Sequence, residues 1–134
     1  MRNVEWSAVW RPAVSVSVFL LPLALLQQWL IDGDRIERGG SESLLFVGVF
    51  LFLAAACGFA SARLASHDLL AHGAASAALA YGVVQGIGVV RHLVVGEAVG
   101  SFITFAYLAL LMSTCGMLGA MLERRMRRLE AIRD

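Results

Sequence analysis

Four long apolar stretches run through this chain, roughly at residues 12–31, 44–62, 69–90 and 98–122. An α-helix rises about 1.5 Å per residue, so about 20 apolar residues cross a hydrocarbon core that is about 30 Å thick. A helix also satisfies its backbone hydrogen bonds within one segment, as a lipid environment demands. The sequence therefore predicts an all-α fold, a single integral membrane four-helix bundle with four transmembrane helices over residues 1–134.

The composition leaves no room for a soluble catalytic domain. Hydrophobic residues make up 59% of the chain, whereas soluble domains hold about 45–50%. The sequence contains no HExxH motif, no phosphate-binding glycine loop and no Ser/His/Asp set. The formal net charge of +1 argues against nucleic-acid binding. We therefore expect a protein that is not an enzyme, holds no cofactor or metal, and has membrane lipids as its neighbours.

The distribution of arginine predicts the orientation, because cytoplasmic loops of membrane proteins carry an excess of Lys and Arg. Four spans place both termini and the middle loop on one side, and that side carries eight of the eleven basic residues. We therefore expect both termini in the cytoplasm and the chain in a bacterial inner membrane. The composition, in which every basic residue is Arg, favours a bacterial origin.

Residues 123–134 predict a basic, helical cytoplasmic tail that continues the fourth helix. Arginine side chains near a membrane surface attract anionic lipids by roughly 1 kcal/mol each. The predicted contacts to anionic lipid are Arg124, Arg125, Arg127 and Arg128. A simple stop-transfer signal explains the same charges, and the sequence leaves both interpretations open.

Small residues recur every four positions in three of the helices. Small side chains let membrane helices approach closely, because packing rather than a hydrophobic driving force joins such helices. The predicted packing ridge is Ala74, Ala78, Gly82 and Gly86 on the third helix, Ala54, Gly58 and Ala62 on the second, and Gly116 and Ala120 on the fourth. The ridge packs either inside the monomer or against a second copy or another membrane protein.

Polar side chains gather near the outer end of the predicted bundle, where burial in lipid is costly. The predicted outer polar pocket comprises Gln27, Gln28, Gln85, Arg91, Glu97 and Tyr107. It suits a lipid headgroup, a small solute or a partner helix, while interhelical hydrogen bonds and an Arg91–Glu97 pair explain the same residues. No Asp, Glu, Lys or Arg lies in the middle of a span, which argues against an ion-coupled transporter.

Two further sets of residues have both a functional and a structural interpretation. Cys57 and Cys115 lie at similar depth and form either a redox pair or small packing residues. A sequence alignment that matches Cys57 with Cys115 also matches the first helical hairpin with the second. The interpretation of the chain as a tandem repeat therefore also stays open. His67, Asp68 and His72 offer metal ligands, but their number and spacing favour capping of the third helix instead.

Three short motifs mark the middle of the chain. They are Ser41-Glu42-Ser43-Leu44 before the second helix, GFASAR at residues 58–63, and His72-Gly73 at the start of the third helix. Over roughly residues 40–90 the chain thereby resembles a family of small bacterial four-helix membrane proteins of unknown function. Part of the family's "GGxxAGR" pattern is replaced here. The resemblance implies the fold and the membrane location, and no activity.

Together these features predict a non-enzymatic accessory or interaction subunit that packs through small-residue helix faces, as a homo-oligomer or within a larger membrane complex. The alternative is a small transporter or channel, monomeric or dimeric, that uses Gln27, Gln85 and Tyr107 along a path. A third interpretation is a lipid-binding protein that uses the arginine tail and the outer pocket.

Overall fold

The computed structural model of the protein describes residues 4–133. They form four helices, α1 (Trp6–Asp32), α2 (Ser41–Leu64), α3 (Leu69–Val95) and α4 (Phe102–Arg133), and these residues contain no strand. By length and composition, each helix is able to cross a membrane. The predicted all-α bundle of four membrane-spanning helices is therefore confirmed.

The start of α1 differs from the predicted span. The helix begins at Trp6, so Pro12 lies inside it and not at its start. Proline lacks the N–H that would bond to the carbonyl oxygen four residues earlier. The oxygen that is left free, that of Ala8, accepts a hydrogen bond from the Ser61 hydroxyl of α2 at 2.6 Å. The buried proline is tolerated because a neighbouring helix supplies the missing donor.

The ends of α3 and α4 also differ from the predicted spans. α3 continues to Val95 and stops at Gly96, whose φ of 78° is left-handed and suits glycine. Residues 96–101 lie outside the helices, so α4 begins at Phe102. α4 then continues without a break to Arg133 and contains the predicted basic tail, of which residue 134 lies outside the described residues.

α2 and α3 form the centre of the bundle. They contact each other, and α1 and α4 each pack against both of them. Within residues 4–133, α1 and α4 make no close contact with each other, so they lie on either side of the central pair. One apolar cluster joins α1 to the centre around Ala13, Leu20 and Ala80. A second joins the centre to α4 around Tyr81 and Met112.

One half of the bundle carries the start of α1, the end of α4 and the α2–α3 loop, and we call it the terminus-bearing half. Its helices approach backbone to backbone. A Cβ atom added at Gly58 of α2 would collide with the carbonyl group of Gly116 in α4. A Cβ atom at Gly73 of α3 would lie 2.7 Å from the Ala120 Cβ atom. Only small residues permit such contacts, so this half of the bundle is closely packed.

Buried hydroxyl groups join α1 to α2 and α3 in the same half. The Ser76 hydroxyl donates to the carbonyl oxygen of Val9 at 2.8 Å, and the Cys57 sulfur lies 3.1 Å from the Ser76 oxygen. Ser61, Ser76 and Cys57 are all fully buried. Cys57 and Cys115 are both free thiols. These buried side chains therefore bond to one another, to α3 and to α1.

Candidate functional site

A cavity of about 220 Å³ lies between α1 and α3, in the half of the bundle away from the termini. Most of its walls come from these two helices, with one residue each from α2 and α4, and we call it the α1–α3 cavity. Its lining residues are Leu20, Leu21, Ala24, Leu25, Gln27, Gln28, Phe50, Tyr81, Val84, Gln85, Ile87, Gly88, Arg91, His92 and Met112.

The spacing along α3 explains why several of these residues meet. Tyr81, Gln85, Gly88 and His92 follow one another at three- and four-residue steps, which place them on one face of the helix. Gly88 leaves open space on this face, because a Cβ atom there would meet no atom within 4 Å. The cavity therefore exists partly because α3 has a glycine where a side chain would otherwise fill the gap.

Two uncharged polar groups in the cavity wall have no hydrogen-bond partner within residues 4–133. They are the side-chain amide of Gln85 and the hydroxyl of Tyr81, a residue that is 7% exposed. A buried hydroxyl without a partner costs about 1–3 kcal/mol. The Gln27 amide, in contrast, donates to the Ser43 hydroxyl of α2 over 3.3 Å. Unpaired polar groups thus concentrate on the α3 wall.

Two pairs of polar side chains lie at the mouth of the cavity. The Arg91 guanidinium lies 3.7 Å from one oxygen of the Asp32 carboxylate, and the Gln28 amide donates to the other oxygen at 2.7 Å. The His92 Nδ1 atom bonds to the Glu97 carboxylate at 2.9 Å, because the left-handed turn at residue 96 brings the chain back toward α3. The predicted Arg91–Glu97 pair is not formed, since each partner pairs elsewhere.

The structure brings together four of the six residues predicted for an outer polar pocket, namely Gln27, Gln28, Gln85 and Arg91. Glu97 reaches the cavity only through its bond to His92. Tyr107 lies on the surface of α4, with 63% of its area exposed. Sequence reasoning missed Tyr81, Gly88 and His92 as lining residues. Their helical spacing from the predicted glutamine is the signal that finds them.

The predicted small-residue ridge divides into parts with different surroundings. The buried members are Ala54, Gly58, Ala62, Gly116 and Ala120. The half-buried members are Ala74 and Ala78. Gly82 and Gly86 are exposed, and a Cβ atom at either would meet no atom within 4 Å. The structure adds two close-packed glycines outside the predicted ridge, Gly73 of α3 and Gly119 of α4.

The four arginines predicted to contact anionic lipid have two different surroundings. Arg127 bonds to the carboxylate of the buried Glu123 at 3.1 Å. Its guanidinium also donates to the carbonyl oxygens of Ala62 and Arg63, at 2.7 and 3.0 Å, and so caps the end of α2. The other three line an open groove with apolar side chains of α3 and α4, and they are Arg124, Arg125 and Arg128.

Glu5 joins the start of α1 to the α2–α3 loop. Its carboxylate accepts a hydrogen bond from the Ser66 hydroxyl and lies 2.9 Å from His67 Nδ1. These contacts, above all the Ser66 hydroxyl, hold the pKa of Glu5 below its ordinary value. The Glu5 backbone N–H donates to His72 Nε2 at 3.0 Å. Within residues 4–133 there is no group of three His, Cys, Asp or Glu side chains that could hold a metal ion.

Comparisons with models of protein families, with curated proteins and with solved structures found no match to this chain. The resemblance to small bacterial four-helix membrane proteins therefore stays a prediction. Any function must be argued from the geometry of the chain's own residues.

Proposed function

We propose that this chain is a non-enzymatic accessory protein of the bacterial cytoplasmic membrane that binds a small lipid-soluble molecule in the α1–α3 cavity. The observation that carries the proposal is the cavity itself, in which apolar walls surround the Gln85 amide, a group without a hydrogen-bond partner within residues 4–133. A mainly apolar pocket with a few convergent polar groups is typical of small-molecule sites.

Binding explains the geometry better than transport does. A transporter must open its central site to each side in turn, but here the terminus-bearing half is packed so closely that Gly58 and Gly116 touch through their backbones. Ion coupling would also need a charged group in mid-span, and the middle of each span lacks one. Solute flux in proteoliposomes that disappears in Gln85→Leu would contradict the proposal and favour the transporter.

The proposed orientation places both termini in the cytoplasm. The support is the excess of arginine on the side of the termini and the α2–α3 loop. The mouth of the α1–α3 cavity then lies on the outer side of the membrane. Single cysteines introduced at Arg38 or Arg133, in a variant whose native Cys57 and Cys115 are replaced by alanine, test this orientation with a thiol reagent that cannot cross membranes. Only the cysteine at position 38 should react in intact cells.

A second candidate function is docking of another membrane helix, from a second copy or a larger complex, against α3. The observation that favours it is the exposed pair Gly82 and Gly86, where an added Cβ atom would meet no atom within 4 Å. Glycine in a helix interior costs about 1 kcal/mol relative to alanine, and a close approach to another helix would offset that cost.

Two substitutions on the same helix distinguish these candidates. Gly88→Leu adds a side chain inside the α1–α3 cavity, and Gly86→Leu adds the same side chain on the exposed face of α3. A Cβ atom at either position would meet no atom within 4 Å, so both variants should fold. The matched pair therefore changes either the cavity or the outer face, but not both.

The readout for binding is thermal unfolding of the purified full chain in mild detergent, with and without a series of decyl-chain compounds. A ligand at 100 times its Kd stabilises a protein by about 2.7 kcal/mol. We expect stabilisation of the wild type and of Gly86→Leu, and none of Gly88→Leu. Equal stabilisation of Gly88→Leu would refute binding in the cavity. Docking through α3 instead predicts that only Gly86→Leu loses its assembled state in size-exclusion chromatography.

A further inference from the structure

We infer that an open groove between the start of α3 and the last turns of α4 binds an anionic phospholipid of the adjoining membrane leaflet. We call it the α3–α4 groove, and its volume is about 550 Å³. Apolar side chains form one part of its lining, and three arginines form the other, namely Arg124, Arg125 and Arg128. The inference does not rest on the α1–α3 cavity, which lies in the other half of the bundle.

Close packing of α3 against α4 fixes the walls of the groove. A Cβ atom added at Gly73 of α3 would lie 2.7 Å from the Cβ atom of Ala120 in α4. Three residues before Gly73, the half-buried Leu70 forms the α3 wall. Because two packed helices supply the walls, the groove belongs to the folded bundle and is more than a charged tail beside a membrane.

The order of the lining residues along α4 matches the order of groups in a phospholipid. Leu118, Met121 and Leu122 come first, and each is more than half exposed. The three arginines follow within the next two turns. An acyl chain can therefore lie along the apolar part while the phosphate lies level with the guanidinium groups. Arginine suits this position, since its aliphatic stem covers apolar surface and its charged end reaches the interface.

The three arginines of the groove carry positive charge that no carboxylate offsets. All three are exposed, and none forms an ion pair within residues 4–133. Arg128 lies four residues from Arg124 and three from Arg125, so like charges are neighbours on one helix, which is unfavourable. A bound phosphate offsets this repulsion, and the planar guanidinium donates two parallel hydrogen bonds to phosphate oxygens.

The acidic residues nearby leave this charge in place. The buried Glu123 bonds to Arg127, whose guanidinium also caps the end of α2. Asp68 borders Arg124 in an adjoining shallow pocket, and Glu130 is exposed, but neither forms an ion pair within residues 4–133. The lipid site therefore uses three of the four arginines that the sequence suggested, and Arg127 stabilises the bundle instead.

The test titrates the purified full chain in a neutral detergent with single lipids, and native mass spectrometry measures the bound lipid. Dioleoylphosphatidylglycerol is the anionic probe. Dioleoylphosphatidylcholine, which has the same acyl chains and no net charge, is the comparison. One arginine near an anionic surface gives about a five-fold preference, the equivalent of roughly 1 kcal/mol. From three arginines we expect the wild type to bind phosphatidylglycerol about ten- to 100-fold more tightly than phosphatidylcholine.

Two triple variants with the same change in net charge separate a defined site from a general attraction. The groove variant combines Arg124→Gln, Arg125→Gln and Arg128→Gln. The control variant changes three exposed arginines at the same end of the bundle, Arg11→Gln, Arg63→Gln and Arg133→Gln. None of the six guanidinium groups forms an ion pair within residues 4–133, so both variants should fold. The groove variant should lose the preference for phosphatidylglycerol, and the control variant should keep it.

Four results would overturn the inference. Equal affinities for the two lipids would show that the groove does not select an anion. Equal losses in the two triple variants would show a general attraction to net charge. Binding of glycerol 3-phosphate as tightly as phosphatidylglycerol would show a site for soluble phosphate. An oligomer that the groove variant loses while it still binds phosphatidylglycerol would show that a second copy occupies the groove.

Discussion

Replacing Ser61 with alanine is expected to destabilise the bundle by an amount that depends on Pro12. Pro12 has no N–H for the carbonyl oxygen of Ala8, and the Ser61 hydroxyl donates to that oxygen at 2.6 Å instead. Ala8 is 1% exposed, so no water reaches the oxygen when the hydroxyl is removed. In Pro12→Ala, the new backbone N–H bonds to the Ala8 oxygen as in any helix. The oxygen then no longer needs Ser61.

The expected size of the effect follows from the burial of the Ser61 hydroxyl and from its second hydrogen-bond partner. A buried acceptor without a donor costs about 1–3 kcal/mol in general, while hydrogen bonds between membrane helices average about 0.6 kcal/mol and reach about 1.7. Ser61 is 0% exposed, so we expect Ser61→Ala to cost about 1.5 kcal/mol, near the upper end of that range. The hydroxyl also lies 3.0 Å from the His72 oxygen. That second contact remains in Pro12→Ala, so Ser61→Ala should still cost about 0.5 kcal/mol there, a coupling of about 1 kcal/mol.

The assay is a double-mutant cycle measured by equilibrium unfolding in mixed micelles with a rising fraction of SDS. It needs the wild type, Ser61→Ala, Pro12→Ala and the double variant. Ser15→Ala is the control, since the exposed Ser15 hydroxyl bonds only within α1, to the Arg11 oxygen at 3.0 Å. We expect the control to change the unfolding free energy by less than about 0.5 kcal/mol. An equal cost of Ser61→Ala in both backgrounds would refute the reasoning.

Three further perturbations test other contacts. Gly58→Leu should give no monodisperse protein in detergent, because its Cβ atom would collide with the backbone of α4, whereas Gly82→Leu should be tolerated. Equal yields of monodisperse protein from the two variants would contradict the close packing at Gly58. Arg127→Gln should lower the unfolding free energy by about 1–3 kcal/mol, because it loses charge-assisted hydrogen bonds to the end of α2. Arg128→Gln is the control in the same SDS titration and should change the unfolding free energy little. The Glu5 carboxyl has a pKa lowered from 4.5 in the folded protein, so its contribution is present above that value and is lost as the pH falls through the lowered pKa. The unfolding temperature of Glu5→Gln should therefore fall less at acidic pH than that of the wild type. The same pH dependence in both proteins would contradict a stabilising role of the Glu5 carboxylate.

The spans were predictable because membrane insertion depends on the length and hydropathy of continuous segments. All four predicted stretches became helices. The ends were less predictable, since they depend on local backbone partners. Pro12 marked a helix start in the sequence, but a hydroxyl from α2 supplies the partner that lets α1 begin at Trp6. Gly96 ends α3 through a left-handed turn that hydropathy does not report.

The candidate cavity was partly predictable for a related reason. Each polar side chain in an apolar span stands out in the sequence, so Gln27, Gln85 and Arg91 were predicted as one group, and the structure places all three around one cavity. Tyr107 has the same polar character, yet it lies on the exposed face of α4. Composition cannot assign a side chain to a face, because that depends on how each helix is rotated against its neighbours.

The small residues show most directly what the sequence predicts and what it does not. A spacing of four predicts that residues share one helix face, but not which face meets another helix. Gly58 and Gly116 lie at a backbone contact, while Gly82 and Gly86, with equal spacing, face outward. The true contact of α3 runs through Gly73, which sits one turn into the helix beside α4.

The amino-acid sequence by itself determined that this protein has four apolar helices, since each span satisfies its own backbone hydrogen bonds and needs only enough apolar residues in a row. Only the tertiary structure decided which faces of those helices meet, because close packing depends on backbone approach across helices that are distant in the sequence. That packing closes the terminus-bearing half through glycine contacts. It leaves a cavity beside Gln85 and Gly88 in the other half.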